Sequence, residues 1–105
     1  MTIHFIWIQN SSTRGSNVLI EKGDGRQARV RNGETDGVNW EVPRWTSGQR
    51  LIVNNNGPRI WFVDRDNALL VSTDEGNSWH HYMAIRGGDR YGMMIRDDGV
   101  AFQKL

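Results

Sequence analysis

The chain repeats itself. From Leu19 to Leu105, residues 51 positions apart match in type: Leu19 with Leu70, Ile20 with Val71, Gly25 with Gly76, Gly37 with Gly88, Trp40 with Tyr91, Gly48 with Gly99, and Leu51 with Phe102. Upstream, a three-residue deletion shifts the offset to 54, and Ile6-Trp7-Ile8 then falls on Ile60-Trp61-Phe62. The two copies differ in length between residues 10–17 and 64–67, where loops absorb insertions at small entropic cost. A period near 50 residues in strand-like sequence marks a repeat architecture such as a propeller.

A chain of 105 residues makes one domain. Its hydrophobic content is 37 %, modest for a self-sufficient globule, but five Trp partly compensate. Many large aromatics in an otherwise polar chain suit a domain that packs against copies of itself, or one that keeps rings exposed for a ligand. The net charge is +1, from 13 basic and 12 acidic residues that are well mixed. No basic stripe marks a nucleic-acid partner. With no Cys, disulfides and thiolate metal sites are excluded. Met1-Thr2-Ile3-His4-Phe5 lacks the cationic and apolar regions of a signal peptide, and no apolar run reaches membrane-span length. The expectation is a soluble chain with no nucleic-acid or membrane partner.

Helix signals are nearly absent. Alternating or short apolar blocks predict strands at 3–9, 17–22, 27–31, 39–44, 50–54, 59–64, 68–72, 78–83, 90–96 and 100–104. Turn chemistry separates them at Gly23-Asp24-Gly25, Thr35-Asp36-Gly37, Asn55-Asn56-Gly57-Pro58, Asp74-Glu75-Gly76 and Asp97-Asp98-Gly99. The pattern is all-β: a sandwich, barrel or propeller. Phased on the repeat, the single domain holds two four-stranded, blade-like units, at about 3–54 and 57–105. One unit is whole, 50–54 through 78–83. The other is split, with its first strand at 100–104 and the rest at the N-terminus. Two blades cannot close a ring, since rings need about four to eight. A homo-oligomer, three chains making six blades, would supply the missing strand pairing. The alternative is a self-contained barrel or sandwich with a pseudo-two-fold axis.

The most specific local signal is Ser72-Thr73-Asp74-Glu75-Gly76-Asn77-Ser78-Trp79. It resembles the Asp-box, S-x-D-x-G-x-[ST]-W, of sialidases and related β-propellers, with Ser72, Asp74, Gly76, Ser78 and Trp79 all matching. The resemblance implies a structural role. Asp74 accepts backbone N–H groups across the turn, Gly76 takes positive φ, and Trp79 folds back onto the hairpin. The first unit's equivalent, Glu21 to Ala28, keeps only the Gly. More loosely, Gly48, Leu51, Ile60-Trp61, Ala68-Leu69-Leu70 and Trp79 look like the tectonin-type repeat. Length and double repeat are similar to small fucose-binding lectins that form six-bladed trimers. Those lectins place an Arg, a Glu and a Trp in each site. Glu21 and Arg59 match parts of that set, but the first unit has no Arg near Phe5, and Ser72 stands in place of the second Glu.

The linking segments 39–45 and 89–93 carry the candidate ligand residues: Trp40, Glu41, Arg44, Trp45, Arg90 and Tyr91. Aromatic rings stack on the apolar face of a pyranose, and charged groups bond vicinal hydroxyls. Trp7 and Trp61 sit in apolar runs and read as core. His80-His81 are strand neighbours facing opposite ways and cannot chelate one metal. The Asp residues form no alternating calcium loop, so neither metal nor cofactor is expected. No catalytic motif is present. The expected function is a non-catalytic, lectin-like, carbohydrate-binding module with shallow sites between blades. Two alternatives are a small structural or protein-interaction subunit, such as a viral accessory protein or inhibitor, and a ribonuclease-like enzyme using His81 and Glu41.

Overall fold

The computed structural model describes residues 2–13, 17–55 and 59–105. Ten strands form: β1 His4–Asn10, β2 Asn17–Lys22, β3 Arg26–Arg31, β4 Thr35–Glu41, β5 Leu51–Asn54, β6 Ile60–Arg65, β7 Ala68–Ser72, β8 His80–Ala84, β9 Arg90–Arg96 and β10 Gly99–Lys104. A single 3₁₀ turn, Trp45–Ser47, lies between β4 and β5. The expected turn at Asn56-Gly57-Pro58 lies outside the described residues.

Most strand ends fall within one residue of the sequence reading; β4 and β8 depart further, and their starts do so for local reasons. β4 starts at Thr35 because the chain turns earlier, at Gly33, whose φ is +78°. Thr35-Asp36-Gly37 is therefore strand, paired to Gln9, Ile8 and Trp7. β8 starts at His80 because the Ser78 N–H is still bonded to Asp74 Oδ1, 2.9 Å away.

The strands form two sheets, ordered β10-β9-β1-β4 and β3-β2-β5-β6-β7-β8. Neither closes into a barrel. Their facing sides bury one core: Phe5, Ile8, Trp40, Tyr91, Met93 and Ile95 from the smaller sheet, and Val18, Ile20, Val30, Leu51, Val53, Phe62 and Leu69 from the larger. Phe102 of β10 joins the layers. It stacks on Phe5 at 5.2 Å and meets Phe62 edge-on at 5.3 Å.

The whole unit forms as expected, since β5-β6-β7-β8 are consecutive antiparallel neighbours. The split unit does not form a second blade. β2 and β3 extend the same sheet past β5, while β1 crosses to the other sheet, antiparallel to β4 and parallel to β9. The strand at 100–104 does not wait for a neighbouring copy. It pairs with β9 from Gly99↔Arg96 to Lys104↔Tyr91. The tight Asp97-Asp98 turn makes that local hairpin the least costly loop to close. The repeat survives in the placement of matched strands: the hairpins β2–β3 and β7–β8 occupy opposite ends of the larger sheet, and β4 and β9 flank β1 in the smaller.

Trp7 departs from the core reading. It is half-buried and lies flat on Gly92, where an added Cβ would come within 2.1 Å of its ring.

Candidate functional site

Trp45 stands at the start of the 3₁₀ turn. Pro43 precedes it by two residues, and the turn is closed by Ser47, whose N–H and Oγ both donate to the Arg44 carbonyl at 3.0 and 2.7 Å. Gly48 then leaves in the left-handed region with φ +76°. The Trp45 ring meets Trp79 edge-on at 5.5 Å. The guanidinium groups of Arg50 and Arg65 each sit 4.6 Å from its centroid. Such contacts contribute about 0.5–2 kcal/mol each. Arg50 also donates to the Gln49 carbonyl at 2.7 Å, and its desolvation there lowers the guanidinium pKa below its ordinary value.

The turn at Ser72–Trp79 holds Trp79 against this cluster. Ser72 is fully buried. Its Oγ donates to Asp74 Oδ1 at 2.7 Å and accepts the Gly76 N–H at 2.8 Å. Asp74 Oδ1 in turn accepts the Ser78 N–H. These bonds, the Ser72 hydroxyl first and the Ser78 N–H next, hold the Asp74 carboxyl below the usual range. Gly76 has φ +86°, and the Trp61 and Trp79 rings pass 3.5 Å from where its Cβ would be. Asp74 thus accepts a backbone N–H across the turn, Gly76 takes positive φ, and the Trp79 ring lies over Gly76.

Beside Trp45 opens a groove of about 630 Å³, lined by Arg44, Thr46, Asp64, Arg65, Asp66 and Asn67. It is built by β6, the β6–β7 turn and the 3₁₀ turn. Asp66 and Asn67 turn the chain with φ +53° and +61°, as a two-residue hairpin demands. The Pro43 carbonyl accepts the Asp64 N–H at 2.9 Å, fixing the two walls together. Asp64 shares the inward side of β6 with Phe62 and is only 7 % exposed. Among the described residues, no side chain bonds or ion-pairs with its carboxylate, although Arg44 and Arg65 line the same groove. Buried charges are ordinarily paired.

The six expected ligand residues do not converge. Trp40 and Tyr91 flank Phe5 in register on neighbouring strands. At 8 % and 7 % exposed, they belong to the core and present no ring face to a ligand. Arg90 is exposed on the smaller sheet, with Glu41 across His4 from it. Glu41 and Arg44 border a second, shallower groove of about 250 Å³. Only Arg44 and Trp45 reach the larger one. His81 and Glu41 lie on strands of different sheets.

Sequence reasoning weighed Asp64 and Asp66 only as calcium ligands and missed Arg65, Asn67 and the flanking Arg50. One signal was legible: an acid at an inward strand position, two residues after Phe62, is anomalous. Among the described residues, no cluster of three His, Asp or Glu could hold a metal ion, and no helix is long and apolar enough to cross a membrane. Comparison with protein-family models, curated proteins and solved structures finds no match to this chain.

Proposed function

We propose that this chain is a non-catalytic carbohydrate-recognition module whose site is the Trp45 groove. The observation that carries the reading is Asp64, a largely buried residue whose carboxylate has no side-chain partner among the described residues, beside a half-buried Trp on a groove edged by donors and acceptors. Its volume suits a small ligand, for which sites span about 300–1,000 Å³. A sugar offers what these groups need. Paired hydroxyls donate to Asp64 and Asp66, ring and hydroxyl oxygens accept from Arg44 and Asn67, and C–H groups lie along Trp45.

A glycan array probed with the wild type and with Trp45→Ala tests the reading. Binding by the wild type that is lost in the variant supports it; an array with no bound glycan removes it. Self-association into a three-chain ring would multiply such sites and add avidity. With β10 paired on one side inside its own chain, that assembly would have to run through the sheet edges, β3 and β8 of the larger sheet or β4 and the outer side of β10 in the smaller. A solution mass near 36 kDa, three times 12.1 kDa, would support the ring, and 12.1 kDa would remove it.

A further inference from the structure

We infer that the sugar is an amino sugar, a hexosamine with a free, protonated amine that docks on Asp64; the inference rests on the carbohydrate reading of the groove. The argument is one of charge balance. Four charged side chains line the groove: Arg44, Asp64, Arg65 and Asp66. Arg65 is committed to the Trp45 ring, 4.6 Å away. Arg44 is exposed and makes no ion pair among the described residues, so solvent screens it. Among the described residues, Asp64 alone of the four is both largely buried and without a side-chain partner.

A neutral hydroxyl would satisfy the hydrogen-bonding capacity of that carboxylate and leave its charge uncompensated. An ammonium supplies up to three donors and the opposite charge together. N-acetylation of the same sugar abolishes the charge.

The test is calorimetric titration of a glucosamine trisaccharide and its fully N-acetylated counterpart at physiological ionic strength. The wild type should bind the free-amine form about tenfold or more tightly, the worth of one charge-assisted bond. Asp64→Asn should bind the two alike, and Trp45→Ala should weaken both. The wild-type preference should fade as pH rises through the titration of the sugar amine. Equal wild-type binding of both forms, or a preference that persists in Asp64→Asn, overturns the inference and leaves the sugar reading standing. Failure to bind either trisaccharide overturns the inference, and only an empty glycan array removes the underlying reading too.

Discussion

Replacing Asp64 by Asn should make the protein more stable while impairing its site. The residue is 7 % exposed and has no side-chain partner among the described residues, so folding strips much of the carboxylate's water without a compensating bond. For a fully buried ion that penalty is several kcal/mol. Asp64 borders an open groove, which leaves about 2 kcal/mol as a reasonable share. Asn keeps the shape but buries an unpaired neutral amide at about 1 kcal/mol. The net gain is about 1 kcal/mol, which for a domain of this size raises Tm by about 4 °C. Differential scanning calorimetry on both proteins, without ligand, measures it. A lower Tm for Asp64→Asn would refute the reasoning, because it would mean that the carboxylate is bonded within the folded chain. Stability conceded at a binding site is a familiar trade, and a gain here would mark the groove as functional without any ligand being known.

Three further outcomes follow from the packing and the charges. Gly92→Ala places a Cβ 2.1 Å from the Trp7 ring, whereas a Cβ at Gly37, which also pairs with Trp7, meets nothing within 4 Å; urea unfolding should cost the first variant about 1–3 kcal/mol and spare the second. Phe102→Ala removes the ring that stacks on Phe5 and meets Phe62 and Tyr82, and should cost about 3 kcal/mol; an unaffected Tm would mean that β10 is peripheral. Asp24 is held at about 2, below its ordinary 3.8, by the Arg26 guanidinium and then the Arg26 N–H. A depressed carboxyl stabilises the fold fully above 3.8, and that contribution is lost as pH falls towards 2. NMR titration should therefore find Asp24 still ionised at pH 3, and Asp24→Asn should flatten the stability profile in that window.

Several strands were legible because one face is buried, so Val18 and Ile20, Leu51 and Val53, and Met93 and Ile95 recur with the period of a pleat. The partners were not. The repeat suggested that β1 joins β2, yet β1 lies between β4 and β9, because pairing is decided by which buried faces can meet. Trp40 and Trp45 look alike in sequence; one is sealed by its place beside Phe5, the other left half-open by a 3₁₀ turn. The Ser72–Trp79 turn was readable because its bonds are local. The Asp64 groove was not, since a missing partner is a property of the fold.

The parallel pairing of β1 with β9 sets residue 4 beside residue 90. During synthesis β1 can meet β4 early, but its other edge stays unfilled until β9, about 80 residues later, has left the ribosome. Completing the smaller sheet therefore closes a long loop, a step that slows folding. Ribosome-bound fragments ending before β9 should be avid clients for chaperones.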